Sequence, residues 1–326
     1  MKKNVAIIYG GDSSEFEISV KSGRQVSACI DRSKYNVYNI LLRGENWKVA
    51  QEECPDIEID KSDFSFVQKE QKVKFDIAVI VIHGKPGENG ILQSYLELLR
   101  IPYVGCNSAV SMLTFDKYAC KCFLRDLGIK MAKDVFIRKG QKIDYDAIIA
   151  KLGLPLFVKP NDSGSSFGVT KVKTKADMED AFNAAFAESD AALVEEALIG
   201  RELDHGVYKI GNQQTLLPVT EIISQNEFFD YDAKYNGQSN EVTPAVIPNT
   251  WTDEIKQTSA RIYDYLGCVG IVRVDYIVNE TGTYFIEVNT VPGMTEQSIV
   301  PQQVGSVGIS LTEVFTGLIE DTLNRK

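Results

Sequence analysis

Apolar and polar positions along this chain fall into blocks whose period switches between strand-like and helix-like, and the switches mark its elements. Asn4-Val5-Ala6-Ile7-Ile8-Tyr9 is the short continuous apolar run that a strand buried on both faces requires. It leads into Gly10-Gly11-Asp12-Ser13-Ser14-Glu15, a turn predicted to open a helix reaching about Ile30. Tyr35–Leu42 and Asp76–Ile82 predict two more strands, the second ending at His83-Gly84. A helix over about 90–99 and a short strand at Ile101–Val104 follow. Strand and helix alternate, so the first ~110 residues predict a small parallel α/β domain. Ligands of such sheets sit at the carboxyl ends of strands, which makes loops 10–15 and 83–90 candidate site loops.

The pattern then changes. Asp116–Leu127 predicts a helix closed by Gly128. Leu156–Lys159 and Val169–Val172 predict strands around a polar glycine-serine loop, 160–168; an amphipathic helix over 176–187 and a strand at Ala192–Glu196 complete an α+β unit. A third unit runs from about 197, with strands near 203–209 and 215–223, a long polar segment 224–243, a helix near 253–266 and a hairpin over 270–289. The final helix carries Leu311, Val314, Phe315, Leu318 and Ile319 on one face, with Ser310 and Glu313 as its capping box.

Composition narrows the classes. The 326 residues, 44% hydrophobic and 25% charged, are enough for two or three compact domains and exclude disordered or fibrous chains. A net charge of -10 without a local basic patch excludes nucleic acid as the expected partner. The apolar runs are too short for a signal h-region or a membrane span, so neither a targeting segment nor a membrane role is expected. Six cysteines without a CxxC pair predict a reduced, cytoplasmic chain. Two histidines, His83 and His205, exclude an HExxH zinc site; GxGxxG, P-loop and GxSxG motifs are absent too.

Three stretches carry candidate chemistry. With Glu280-Thr281-Gly282 as a three-residue loop, the hairpin register sets Asp275 opposite Glu287 and Arg273 opposite Asn289, all on one face. Such a face is either solvated, with Arg273 as counter-ion, or a set of hard ligands for Mg²⁺ or Mn²⁺. Lys159 ends a strand and faces the glycine-serine loop, an anion cradle or else a plain hairpin loop with a surface lysine. Segment 224–243 is longer than most connections and aromatic-studded, which suits an Ω-type lid or a partly ordered surface loop. His83 is a hydrogen-bonded loop histidine or a substrate contact; His205 reads as structural.

In chain order these pieces are GGxSxE at 10–15, HGxxGExG at 83–90, Asp116-Lys117, and Val158-Lys159-Pro160 with its loop. Tyr231-Asp232-Ala233-Lys234-Tyr235 and RxD…ExNTxPGMT at 273–295 complete the series. The series closely resembles the D-alanine–D-alanine ligases of the ATP-grasp superfamily, over essentially the whole chain. The resemblance implies a three-domain ATP-grasp fold, α/β and α+β: an N-terminal parallel α/β substrate domain (1–113) and two α+β domains clamping ATP. These are a central subdomain (114–196) and a C-terminal one (197–326) with the lid 224–243 and the metal-binding hairpin. It implies that Lys117 and Lys159 hold phosphates, Glu195, Ala197 and Leu198 form the adenine hinge, and Glu202 binds ribose. Phe228 and Lys234 become lid contacts to nucleotide, and Asp275, Glu287 and Asn289 ligands of two Mg²⁺ or Mn²⁺ ions. Glu15, with Ser165 and Tyr235, receives the first D-alanine; Arg273 and the Gly293 N–H stabilise the oxyanion; His83, Ser298 and Ile299 belong to the substrate site. The implied reaction joins two D-alanines through a D-alanyl phosphate for peptidoglycan synthesis, in a cytoplasmic homodimer. A ligase for D-lactate or D-serine is one alternative, against which the Lys234-Tyr235 pair argues, and another ATP-grasp carboxylate–amine ligase is a second, against which the Glu15 and Tyr235 matches argue. Phe16, Asn89 and Ala197 depart from residues common in the family.

Overall fold

The structure, a computed structural model, describes residues 2–50, 55–164, 166–224 and 239–325. Strand β1 (Lys3–Gly10) is buried from Val5 onward and lies at the heart of a six-stranded sheet. Strand β2 (Tyr35–Arg43) flanks it on one side; β7 (Ile77–Ile80) and then β8 (Tyr103–Val104) follow on the other, all parallel. Two antiparallel strands, β3 (Asn46–Val49) and β4 (Ile57–Glu58), extend the β2 edge, and β5 (Ser65–Gln68) pairs with β6 (Gln71–Lys74) as a separate small hairpin. Helix α1 (Phe16–Cys29) starts at the carboxyl end of β1 and α2 (Ile91–Leu98) beyond that of β7, so both predicted site loops leave the same end of the sheet.

Helices α3 (Ser108–Phe115) and α4 (Lys117–Leu124) follow, each N-capped by a side chain, Asn107 and Asp116. Gly128 closes this stretch in the left-handed region, as its sequence predicts. A second, antiparallel sheet has the order β10 (Asp134–Arg138), β13 (Ala191–Glu196), β11 (Leu156–Pro160), β12 (Thr170–Val172). It is backed by α5 (Tyr145–Leu152) and α6 (Met178–Glu188) around a core that includes Val158, Phe182 and Val194.

The third sheet orders β16 (Ser239–Val242), β15 (Gln213–Ser224), β14 (Arg201–Ile210), β17 (Ile271–Asn279), β18 (Gly282–Asn289) and β9 (Lys130–Met131). Helix α7 (Asn249–Leu266) and α4 cover one face through Leu124, Ile262 and Tyr263. The last two helices, α8 (Ile299–Ser306) and α9 (Leu311–Asn324), turn back onto the first unit. Val304, Phe315, Leu318 and Ile319 share a core with Val5, Ile7, Val26 and Val79. Each such side chain contributes roughly 1.5–3 kcal/mol on burial, so the end of the chain locks the third sheet to the first. The capping box of α9 is present, with the Ser310 N–H donating to Glu313 Oε2 at 2.8 Å. No helix among the described residues is long and apolar enough to cross a membrane.

Candidate active site

The hairpin β17–β18 sets Asp275 opposite Glu287 and Arg273 opposite Asn289, the register expected, but reaches it differently. Asn279 pairs with Gly282, so the turn has two residues, Glu280 and Thr281, rather than three. A bulge between Asp275 and Tyr276, with Ile286 as the extra residue opposite, shifts the ladder back by one and restores the expected pairs. Three charged groups then share one end of the face. Arg273 donates from Nε to Asp275 Oδ1 at 2.7 Å and through a terminal nitrogen to Asp275 Oδ2 at 2.8 Å. Asn289 donates its amide to Asp275 Oδ2 at 2.9 Å, and Lys117 Nζ lies 2.9 Å from Glu287. Burial alone would push the Arg273 guanidinium down; Asp275 and Asp204 beside it hold it well above its ordinary range. Asp275, Glu287 and Asn289 carry hard oxygen donors of the kind a small divalent cation takes. Among the described residues no three His, Cys, Asp or Glu side chains are grouped so that they could hold a metal ion; this set is two carboxylates and an amide.

A cavity of about 510 Å³ opens between the second and third sheets. Lys117, Lys159, Glu195, Ala197, Leu198 and Glu202 line it together with Asp275 and Glu287, so the sequence-predicted nucleotide residues within the described chain converge. Two ammoniums there, those of Lys117 and Lys159, rest on carboxylates. Lys159 pairs with Glu195, which also pairs with Lys121; Lys121 lies 2.9 Å from Asp134 as well. Burial would raise the Glu195 carboxyl, but the Lys159 and Lys121 ammoniums hold it below its usual range. Desolvation likewise works against the Lys117 charge, and Glu287, with Glu88 and Glu195 beyond, raises it. Sequence reasoning missed Lys121, although its spacing of four from Lys117 puts both on one helix face. It also missed Asn161, whose side chain accepts from Tyr118 N at 3.0 Å while its carbonyl accepts from Lys117 N, fixing the start of α4.

A second cavity, about 530 Å³, is lined by Glu15, His83, Glu88, Arg273, Gly293, Ser298 and Ile299, and it shares Gly164 and Glu287 with the first. Glu15 sits at the N-cap of α1, buried, and its carboxylate lies against Gly164, where a Cβ would collide with it. A side chain at Gly164 would therefore push the Glu15 carboxylate out of its place. Ser13 ties the two site loops together by donating to the His83 carbonyl at 2.8 Å. His83 Nδ1 donates to the Val291 carbonyl at 2.9 Å, so Nε2 accepts from Ser22 Oγ at 3.1 Å; Ser22 accepts in turn from Met294 N. Both ring nitrogens thus serve protein partners, and burial, against the pull of Glu15, lowers the imidazole pKa and keeps it neutral. Glu88, a motif residue given no side-chain role by sequence reasoning, accepts from Gly84 N at 2.7 Å; burial and the Glu15 charge push it up to about 8. Ser298 stands at the N-cap position of α8 with its hydroxyl bonded to Thr295, and that hydroxyl would lie only 2.8 Å from a Cβ placed on Gly293. Ser165, Phe228, Lys234 and Tyr235, and with them most of the 224–243 segment, lie outside the described residues.

The chain matches the family models for the D-ala D-ala ligase N-terminus over residues 4–106 and the D-ala D-ala ligase C-terminus over residues 123–320. It is 46% identical over 322 residues to the D-alanine–D-alanine ligase of Phocaeicola vulgatus, covering 98% of this chain and 99% of the relative. Among solved structures it resembles the VanG D-Ala:D-Ser ligase of Enterococcus faecalis, with a TM-score of 0.87, 32% identity and coverage of 98% and 99%. It also resembles the D-alanine–D-alanine ligase of Bacillus anthracis complexed with ATP, with a TM-score of 0.79, 30% identity and coverage of 99% and 97%. Full-length identity of this order, together with both family models, leaves one conclusion: the chain belongs to the D-alanine–D-alanine ligase family.

Proposed function

We propose that the chain uses ATP to join two D-alanines into D-alanyl-D-alanine, through a D-alanyl phosphate, for peptidoglycan precursor synthesis. One observation carries the reading: the cavity lined by the lysines and the cavity lined by Glu15 meet at Glu287 and Gly164, beside Arg273. A carboxylate held in one can therefore face a phosphate held in the other. Glu15 receives the ammonium of the first D-alanine and turns its carboxylate toward that junction. Lys117 and Lys159 exchange their carboxylate partners for phosphate oxygens, neutralising charge on the group in transit. Oxygen of the D-alanine carboxylate attacks the γ-phosphorus and ADP departs. The amine of the second D-alanine, its carboxylate held near Ser298 and Ile299, attacks the acyl carbon. Arg273 and the Gly293 N–H stabilise the tetrahedral oxyanion, and phosphate leaves. Bound at Asp275, Glu287 and Asn289, one or two Mg²⁺ or Mn²⁺ ions would supply neutralisation of phosphoryl charge. Family correspondence gives Ser165 and Tyr235 to Glu15, and Lys234 and Phe228 to the nucleotide. The domain limits 1–113, 114–196 and 197–326, a homodimer and a cytoplasmic location belong to the same proposal.

The likeness to a D-Ala:D-Ser ligase makes D-serine the competing second substrate. Coupled ADP release with MgATP and D-alanine, L-alanine as control and D-serine and D-lactate in competition, with products weighed, tests the reading. Dipeptide from D-alanine alone, and none from L-alanine, is expected. ATP binding without turnover on D-alanine would overturn the substrate assignment.

A further inference from the structure

Asp204 has no counterpart in the motifs and touches neither cavity wall described above, yet it is 1% exposed and charged. It lies on β14 in register with Asp275 on β17, so two carboxylates oppose one another across the ladder, an arrangement that costs stability unless a cation joins them. Arg273 is that cation. Its Nε lies 3.2 Å from Asp204 Oδ2 as well as 2.7 Å from Asp275 Oδ1, and its side chain is only 14% exposed. The backbone at Asp204 is fixed from outside the sheet. A bulge between His205 and Val207 redirects the Gly206 N–H, which Gln303 Oε1 captures at 3.0 Å. Gln303 Nε2 then donates to the Asp204 carbonyl at 2.9 Å and to Thr220 Oγ1 at 3.0 Å. Gln303 belongs to α8, whose N-cap position Ser298 occupies.

We propose that Asp204 is a positioning residue that holds Arg273 at the cavity junction and frees Asp275 for a divalent cation. The inference rests on the ligase reading for its catalytic consequence and on the hairpin geometry for the rest. Asp275 cannot be the whole counter-charge of a buried guanidinium and also give its oxygens to a cation. A second carboxylate behind the guanidinium resolves the conflict: when a cation takes Asp275, Arg273 keeps Asp204 and stays in place. Without Asp204, Arg273 falls back on Asp275, and cation and guanidinium compete for one carboxylate.

The test is Mn²⁺ binding to the full chain, measured by electron paramagnetic resonance of free Mn²⁺ without substrates, for wild type, Asp204→Asn, Arg273→Gln and the double variant. Thermal midpoints establish folding, and Asp204→Ser stands in if Asp204→Asn does not fold. Loss of a partner behind a metal ligand typically costs about 10–100-fold in affinity or activity, and a weakening of Mn²⁺ binding in that range is expected for Asp204→Asn. Its kcat for dipeptide formation should fall by a similar factor while KM for ATP stays within about twofold. Because Asp204 acts through Arg273, the double variant should bind Mn²⁺ as Arg273→Gln does. Wild-type Mn²⁺ binding in both Asp204 variants, or losses that add in the double variant, would overturn the proposal. The two readings fail separately. Dipeptide formation with no change in Mn²⁺ binding removes this proposal alone, whereas the Mn²⁺ shift in a chain that makes no dipeptide supports it and removes the ligase reading alone.

Discussion

In the lysine-lined cavity Lys117 rests on Glu287 and Lys159 on Glu195, which also pairs with the buried Lys121. In the cavity beside it, Glu15, Glu88 and Glu241 gather with the Arg273 guanidinium. The first cavity carries preformed ion pairs whose acidic halves stand where the proposed function puts phosphate oxygens. The second holds the Glu15 carboxylate at its α1 end, proposed for an ammonium, and the Arg273 guanidinium at its hairpin end, proposed for developing negative charge, with Lys21, Glu241 and Glu287 also in its wall. The contrast matches the ligands proposed: a polyanion needs cations kept in place while it is absent, and a zwitterion needs both signs held apart. Arg273 is where the two schemes meet, since its partner Asp275 belongs to the proposed metal-binding face and its guanidinium lines the second cavity.

Breaking that meeting point should cost most. Arg273→Met leaves Asp204 and Asp275 buried without their cation, and loss of one partner of a buried pair costs about 3–5 kcal/mol. Together with a loss of oxyanion stabilisation of about 10²–10³ in kcat, this should be visible in thermal unfolding and in ADP release. Next comes the cavity that Glu15 lines. Glu15→Gln removes the charge facing the ammonium, worth about 1.5–3 kcal/mol, so KM for the first D-alanine should rise by about 10–100-fold with ATP binding unchanged. A parallel loss of ATP affinity would contradict the separation of the two cavities.

Lys121→Met probes the paired cavity. Lys121 is 1% exposed between Glu195 and Asp134, each of which keeps another cation, so about 1.5–3 kcal/mol of stability should go. Glu195 would then hold Lys159 more tightly, raising KM for ATP more than KM for D-alanine. The smallest effect concerns pH. The Glu88 carboxyl, pushed up to about 8 by burial and by Glu15, binds a proton more tightly in the folded chain than its ordinary value of 4.5 allows. Its contribution is therefore complete below pH 4.5 and is lost as pH rises through 8. Glu88→Gln should flatten the fall of the thermal midpoint over that window, and an unchanged slope would remove Glu88 as its source.

The strong periodic elements were legible because their apolar spacing survives into the fold: β1, α1, the β17–β18 hairpin and the capped α9 lie where the sequence puts them. The short pieces were not. Strands between Asn46 and Lys74, and helices α3, α5 and α8, span two to eight residues and take their shape from tertiary contacts, so no period announces them. The hairpin is the instructive case. Its functional rungs come out as expected only because a bulge at Ile286 offsets a turn one residue shorter than foreseen. Of the site, motif residues converge, while Lys121, Asn161 and Asp204 stayed hidden because their partners are dozens of residues away. A long-range ion pair leaves no spacing to read.

The central claim, that a carboxylate in one cavity meets the phosphate held in the other, is tested most directly by isotope transfer. D-Alanine labelled with ¹⁸O in its carboxylate is turned over with MgATP and the released phosphate is weighed. The account predicts one ¹⁸O in each phosphate, carried across when carboxylate oxygen attacks the γ-phosphorus and the C–O bond later breaks. Unlabelled phosphate formed alongside dipeptide would contradict it.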